Sequence, residues 1–254
     1  MLKLLSYNIR FGGTGREDLL AEVIRRCEPD IVVLQEASSV DVVAMLSLQT
    51  GLEYWAATPG HSPAFLSRIK IERYEWHYDR ALQRPFMEIL PSGTNLRIYA
   101  IHLRATHSNY TERGRMREAR ALLRSIKEYR QGFHLLVGDF NTLAPGELLD
   151  MQRLPWRYRA LAMVLGGRVT YRTIQIMLDE GYLDGYRRLN TDHGFTFPTW
   201  DPHVRLDYVF VPAPFADRVR SCKVITDIPE AAKASDHFPL LAEIELDETL
   251  KENP

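Results

Sequence analysis

The chain has 254 residues and a formal net charge of −1, a length that fits one large domain or two small ones. Hydrophobic residues make up 45% and charged residues 26%, the mixture of an ordinary globular protein. The near-neutral charge excludes binding of nucleic acid by overall charge alone, so any such affinity must come from a local patch. No apolar run approaches the roughly 18 residues of a membrane span.

The cysteine content and the first residues bear on the compartment. Cys27 and Cys222 are too few for a disulfide framework, and the start MLKLLSYNIR lacks the charged and apolar regions of a signal peptide. Both observations favour a reducing compartment, and we expect a cytoplasmic protein.

Short buried strands alternate with amphipathic helices along the chain. The spacing of apolar residues predicts helices over residues 16–27, 40–48 and 112–129. Apolar runs and alternating patterns predict strands over residues 31–34, 96–101, 134–137 and 204–211. No repeat or linker interrupts the pattern, so we predict one domain over residues 1–254 with a layered α/β architecture.

Polar side chains follow or open the predicted strands at six places. In chain order these are Asn8, Gln35-Glu36, His102, Asp139-Phe140-Asn141, Asp207 and Ser235-Asp236-His237. One such residue alone is typical of a solvated strand end, whereas six together indicate a shared site. Carboxylate and amide oxygens are the ligands that Mg²⁺ prefers, and the His/Cys spacing of a zinc site is missing.

The motifs around these residues resemble those of a known family. The set S-Y-N-I-R, L-Q-E, I-H-L, G-D-F-N, L-D-Y-V-F-V and S-D-H-F-P-L, in this order, is similar to that of the endonuclease/exonuclease/phosphatase family. The resemblance implies an α/β (α+β) fold, a four-layer sandwich of two packed β-sheets flanked by helices. It also implies a phosphodiester hydrolase that depends on Mg²⁺ or Mn²⁺.

The resemblance assigns the metal-binding residues. It implies that Glu36 is the principal metal ligand, with Asn8 beside it, and that Asp236 supports the metal site.

The resemblance also assigns the catalytic residues. It implies that Asp139 and Asn141 hold the nucleophilic water and the scissile phosphate, or a second metal. His237 contacts the phosphate as the general acid/base and is oriented by Asp207, since a histidine bonded to a carboxylate gains basicity and a fixed tautomer. His102 is the further catalytic candidate, because the deoxyribonuclease, sphingomyelinase and inositol-phosphatase branches carry a histidine there and the exonuclease III branch does not.

Two positions depart from the patterns of relatives. Arg10 stands two residues after Asn8, where repair nucleases have an aspartate, which argues against an abasic-site endonuclease. Residues 62–67, S-P-A-F-L-S, replace the family's G-N-A-L-L-S type of segment near the site.

The substrate side is less specific. Arginines and aromatic residues interleave at Arg153, Trp156, Arg157, Tyr158, Arg159, Arg168, Tyr171, Arg172, Tyr182, Tyr186, Arg187 and Arg188. They either track a nucleic-acid backbone or form a packed helical hairpin with solvated arginines. A second basic group on the third helix is compatible with ordinary surface ion pairs to Glu112 and Glu118.

The candidate substrate-binding residues are Arg84, Arg113 and Trp200. We expect a monomeric nuclease that acts on DNA or RNA. A phosphodiesterase or phosphatase for small molecules or lipid headgroups, and an inactive scaffold, are the alternatives.

Overall fold

Two six-stranded sheets pack face to face in this computed structural model, which describes residues 1–106, 108–147, 152–153 and 171–246. The first sheet has, in spatial order, β11 (Val219–Val224), β12 (Leu240–Ile244), β1 (Leu2–Asn8), β2 (Ile31–Gln35), β4 (Ala64–Ser67) and β3 (Tyr54–Ala56). The second has β5 (Ile71–His77), β6 (Phe86–Pro91), β7 (Arg97–His102), β8 (His134–Asp139), β10 (Asp207–Pro212) and β9 (Tyr182–Asp184). β1 and β2 run parallel, as do β7 and β8, and the other neighbouring strands are antiparallel.

Helices cover the outer faces of both sheets. The helices of the described residues are α1 (Glu17–Cys27), α2 (Val40–Thr50), α3 (Asn109–Ser125), α4 (Thr173–Asp179), α5 (Gly185–Leu189) and α6 (Ala231–Ala234). α1, α2 and α6 pack on the first sheet, and α3 and α4 pack on the second. The predicted four-layer sandwich is confirmed.

Strand alternation builds the core. Leu4, Val33, Ile98, Val137 and Val209 project between the two sheets, and the residues next to them along each strand face the helices. Because β2 and β8 are buried on both faces, their sequences are nearly continuous apolar runs rather than alternating ones.

The helix boundaries follow local capping chemistry. α3 begins at Asn109, three residues before the predicted start, because Ser108 and Thr111 form a capping box. It ends at Ser125, and a 3₁₀ turn over Lys127–Tyr129 follows. α2 ends before Gly51, which has the left-handed φ of 69°. No helix of the described residues is long and apolar enough to cross a membrane.

The interpretation of Glu112 and Glu118 as partners in surface ion pairs is wrong, because both lie on the buried face of the third helix. Glu112, Arg115 and Glu118 are buried in α3, with Arg115 at 0% exposure. The chain before α3 and the segment leading into α4 fold over these residues, since Arg115 donates to the carbonyl of Thr106 and Glu112 accepts from the backbone N–H of Arg172.

Candidate active site

The two sheets meet in a polar contact at one edge. Along β1, the inward-facing positions run from Leu4 to Asn8, and along β8 they run from Val137 to Asp139, because side chains alternate with a period of two. The Nδ2 atom of Asn8 donates to Oδ2 of Asp139 over 3.0 Å. The apolar core therefore ends at a buried amide–carboxylate pair that joins both sheets.

A left-handed residue brings Glu36 to the same edge. β2 ends at Gln35, and Glu36 has a φ of 58°, which turns its side chain out of the alternation of the strand. Its Oε1 lies 3.4 Å from Nδ2 of Asn8, and its Oε2 accepts from the backbone N–H of Phe11 over 2.7 Å. The backbone N–H of Glu36 donates to Oγ of Ser62 over 2.9 Å.

His237 and Asp207 form a buried pair opposite Asp139. The Nδ1 atom of His237 lies 2.8 Å from Oδ2 of Asp207, and its Nε2 lies 4.0 Å from Oδ2 of Asp139. Burial alone lowers the pKa of His237, but the carboxylates of Asp207 and Asp139 reverse this and raise it to about 10. His237 therefore carries a positive charge at neutral pH and turns Nε2 towards Asp139.

Asp139 is the carboxylate on which the other groups converge. Burial raises its pKa to about 7, and the charge of Asp207 acts in the same direction, against His237 and the N–H donors of Asn141 and Asn8. Asn141, at a left-handed φ of 52°, donates its backbone N–H to Oδ1 and its Nδ2 to Oδ2 of Asp139, over 2.8 and 3.1 Å.

Gly138 explains the glycine of the G-D-F-N motif. Its φ is 140°, and a Cβ atom there would lie 2.0 Å from the carbonyl oxygen of Ile101 on the neighbouring β7. A side chain at this position is incompatible with the pairing that places His102 beside Asp139.

His102 lies on the other side of Asp139. Its Nε2 is 3.7 Å from Oδ2 of Asp139, and its Nδ1 is 2.5 Å from Oγ of Ser62. Burial, followed by the charges of Arg84 and His237, lowers the pKa of His102 well below 6.5, so the ring is neutral at neutral pH. Ser62 links His102 to the backbone of Glu36, and sequence reasoning did not single it out, since it opens the segment that departs from the family pattern.

A model of the Endonuclease/Exonuclease/phosphatase family matches residues 5–237. The chain belongs to this family. It is similar to exodeoxyribonuclease III of Haemophilus influenzae, with 24% identity over 270 residues that cover 95% of this chain and 99% of the relative.

Solved structures of the family share the fold. A 3′ phosphatase from Neisseria bound to a product DNA hairpin has 18% identity and a TM-score of 0.69, covering 96% of this chain and 100% of that one. An AP endonuclease from Archaeoglobus fulgidus has 17% identity and a TM-score of 0.68, with the same two coverages. The branch indicated by His102 differs from the exonuclease III type of the Haemophilus relative and stays a prediction.

Three further predicted site residues, Asp236, Arg84 and Arg113, lie around this buried centre and differ from one another in their contacts and exposure. Asp236 is partly exposed, and its Oδ2 lies 3.3 Å from Nε of Arg10; its support of a metal site stays a prediction. Arg84 donates to the carbonyl of Leu103, next to His102, over 3.2 Å. Arg113 lies exposed on α3.

Trp200 lies on the His237 side of the site. It is 67% exposed, and its ring is 6.2 Å from that of Phe197. Phe197 in turn packs at 4.8 Å from the ring of His237. Trp200 is therefore available to a bound substrate, and Phe197 serves as packing for the histidine.

The described part of the basic segment is largely structural. Tyr182 and Tyr186 are buried, Arg187 pairs with Glu147, and Arg188 pairs with Asp217. Trp156, Arg157, Tyr158, Arg159 and Arg168 lie outside the described residues.

The donor set at this edge fits a divalent cation. Asp139, Asp207 and His237 offer ligand atoms within 4.8 Å of one another, but Asp207 and His237 use two of those atoms on each other. The oxygens of Asn8 and Glu36 are hard ligands of the kind that suit Mg²⁺. Among the described residues, Oδ1 of Asp207 and Nε2 of His102 are buried without a hydrogen-bond partner, and buried polar atoms normally have one. A cation with its waters and a phosphate group supply such partners.

Proposed function

We propose that this chain is a single-domain, divalent-metal-dependent phosphodiester hydrolase that cleaves nucleic acid. The observation that carries the proposal is the chain of contacts from Asp207 through His237 to Asp139 and on to Asn8. By their descriptions, one structural neighbour is bound to a product DNA hairpin and the Haemophilus relative is an exodeoxyribonuclease, which favours a polynucleotide over a small ester.

The geometry supports distinct roles for three residues. Asp139, with a pKa near neutrality, accepts a proton from the attacking water, because a general base works best when its pKa is near the working pH. His237, held in its charged form by Asp207, donates Nε2–H to a phosphate oxygen and stabilises the charge that develops in the transition state. His102, being neutral, offers a hydrogen bond to the phosphate without adding charge.

Asn8 and Glu36 are the residues that would hold the cation, with support from Asp236, and we propose Mg²⁺ or Mn²⁺ from these oxygen donors. When bound, the cation supplies positive charge that polarises the phosphoryl group and neutralises the leaving oxygen.

The substrate side is proposed from positions next to this centre. Arg84 stands by His102, and guanidinium groups favour phosphate oxygens. Trp200, exposed beside the packing partner of His237, offers an aromatic surface to a base or sugar. Arg113 is farther along α3 and is proposed as a backbone contact on the same side as His102. We also propose that the protein is a monomer. We propose a cytoplasmic location, because the low cysteine content favours a reducing compartment.

An activity panel tests the proposal. Purified protein is assayed with Mg²⁺ and with excess chelator on bis-p-nitrophenyl phosphate, single-stranded and duplex DNA, RNA and inositol phosphates. We expect metal-dependent cleavage of bis-p-nitrophenyl phosphate and of a polynucleotide. Cleavage of inositol phosphates without any polynucleotide selects the small-ester alternative, and no turnover of any substrate selects the scaffold.

The control variant for the panel is His193→Gln, which changes an exposed histidine outside the proposed catalytic residues. It should retain wild-type rates, whereas His237→Ala should lose them. Equal loss in both variants would mean that the rates report folding rather than chemistry.

A further inference from the structure

Tyr78, directly after β5, is an exposed tyrosine that is held in place at its hydroxyl group. It is 68% exposed, and its hydroxyl lies 3.2 Å from Nε2 of His61. The two rings are perpendicular, with centroids 6.1 Å apart. The hydroxyl end of the tyrosine is therefore anchored, while most of its side chain stays exposed to solvent.

The support behind Tyr78 is itself anchored. The His61 ring lies 4.6 Å from the ring of Trp76, and Trp76 donates its indole N–H to Oγ1 of Thr58 over 3.2 Å. Trp76 packs on the core between the sheets. The tyrosine is thus positioned before any ligand arrives, which reduces the entropy cost of binding.

This aromatic group adjoins the candidate active site. His61 immediately precedes Ser62, and consecutive Cα atoms are about 3.8 Å apart, while Oγ of Ser62 lies 2.5 Å from Nδ1 of His102. β6 runs antiparallel to both β5 and β7, so β5 and β7 run in the same direction. The end of β5 at His77 and the end of β7 therefore lie at the same edge of the second sheet. Tyr78 therefore follows a strand end that lies at the same edge as His102 but two strands away, on the opposite side of the site from Trp200.

Tyr110 is also highly exposed, at 73%, but lies in the first turn of α3. Two other exposed tyrosines are less exposed than Tyr78. Tyr74, on the same strand, is 49% exposed and lies 5.6 Å from the ring of Phe65. Tyr54 is 40% exposed and pairs with Ser67, at the far end of β4 from the site. Tyr78 differs from both in its exposure and in its position.

We propose that Tyr78, supported by His61, stacks on an unpaired base of a single-stranded polynucleotide next to the scissile phosphate; this rests on the proposed function. Every base has a π-face, so such stacking is tolerant of sequence. A base in an intact duplex already stacks on its neighbours, which directs the surface to single-stranded or frayed substrate. Arg80, exposed two residues later, and Arg84 provide positive charge for the backbone.

Steady-state cleavage of labelled single-stranded DNA tests the stacking. Tyr78→Ala should raise KM about 5- to 150-fold, since a base–aromatic stack is worth about 1–3 kcal/mol by alanine substitution, and should leave kcat and bis-p-nitrophenyl phosphate turnover unchanged. Tyr78→Phe retains the aromatic face and should stay close to wild type. Tyr54→Ala is the matched control and should have no effect.

A second measurement locates the base. The substrates are oligonucleotides that each lack one base, at successive positions around the cleaved bond. At one of these positions, the missing base should lower the affinity of the wild-type protein. The same missing base should not lower the affinity of Tyr78→Ala, because that variant has already lost the stacking contact. A KM unchanged in Tyr78→Ala, or an equal rise of KM on intact duplex, overturns the stacking proposal while bis-p-nitrophenyl phosphate turnover still upholds the proposed function. Turnover of bis-p-nitrophenyl phosphate without cleavage of any polynucleotide also overturns it. If wild type hydrolyses neither substrate, the proposed function itself fails.

Discussion

Replacing Glu112 with glutamine is expected to destabilise the protein strongly, although the residue lies outside the site. The side chain is 2% exposed. Its Oε1 accepts from the N–H of Arg172 and from the N–H and hydroxyl of Thr173, over 2.7, 2.8 and 2.7 Å. Its Oε2 accepts from the hydroxyl of Thr142 and from Nε of Arg115, over 2.9 and 3.0 Å. Glu112 therefore ties α3 to the start of α4 and to the loop that carries Asn141.

The magnitude follows from the buried charge pair. The glutamine side chain retains one oxygen acceptor, but its NH₂ group faces the groups that donate to the other oxygen. The substitution also leaves the guanidinium of Arg115 buried without its carboxylate partner. Removing one partner of a buried ion pair costs about 3–5 kcal/mol. At about 2–4 °C per kcal/mol for a chain of this size, the expected fall in Tm is about 6–20 °C.

Thermal unfolding followed by circular dichroism at pH 7 measures this loss. Glu22→Gln is the matched control, because Glu22 pairs with Arg25 on the surface of α1 and exposed pairs contribute about 0–1 kcal/mol. A fall in Tm below about 4 °C for Glu112→Gln, close to that of the control, refutes the reasoning.

The pH dependence gives an independent check of the same interaction. Burial acts to raise the pKa of Glu112, but Arg115 and the N–H donors of Arg172 and Thr173 outweigh it and lower the pKa below the ordinary 4.5. The unfolded chain therefore takes up the proton first as the pH falls. The stability supplied by this charge is complete above pH 4.5 and is lost as the pH falls through the folded pKa. The difference between wild type and Glu112→Gln should narrow over that window and stay constant above it.

Four further substitutions test the site and the strand pairing that supports it. Glu36→Gln removes a charged oxygen ligand and should raise the Mg²⁺ concentration for half-maximal turnover of bis-p-nitrophenyl phosphate; an unchanged metal requirement contradicts the ligand role. His237→Ala should lower kcat at least about 10²-fold, because it removes a donor that stabilises the transition state, and Asp207→Asn should act in the same direction with a smaller loss. Near-wild-type turnover by a folded His237→Ala protein rules out that stabilising role. Gly138→Ala places a Cβ atom against the carbonyl of Ile101 and should lower the free energy of unfolding by more than about 4 kcal/mol. A Tm within a few degrees of the wild-type value would show that β7 and β8 can move apart to accept the methyl group.

Sequence reasoning predicted which strand ends come together where strand geometry alone decides it. Asn8 and Asp139 were predicted together because each ends an apolar strand, and the period-two alternation then places both side chains between the sheets. The ordered motifs supplied the two-sheet architecture that makes these strand ends face each other. The strand predicted over residues 204–211 begins at Asp207, because Val204 instead forms a bridge to Phe197.

Features that depend on long-range contacts could not be predicted from the sequence. Glu36 and Asn141 adopt left-handed backbone conformations that no glycine marks, so their side-chain directions could not be derived from alternation. The spacing of Glu112 and Arg115 on a helix is equally compatible with a solvated face. Only the folding of the neighbouring segments over α3 buries them.

The two histidines beside Asp139 show why residue types alone do not assign roles in this site. His102 and His237 are both buried, and their Nε2 atoms lie 3.7 and 4.0 Å from the same carboxylate oxygen of Asp139. Their Nδ1 partners differ: a neutral hydroxyl, that of Ser62, contacts His102, and a carboxylate, that of Asp207, contacts His237. Burial therefore keeps the first ring neutral, whereas the carboxylates charge the second. A single serine-for-carboxylate difference thus separates a neutral hydrogen-bond donor from a cationic one, and the site gains both without placing two positive rings around one phosphate.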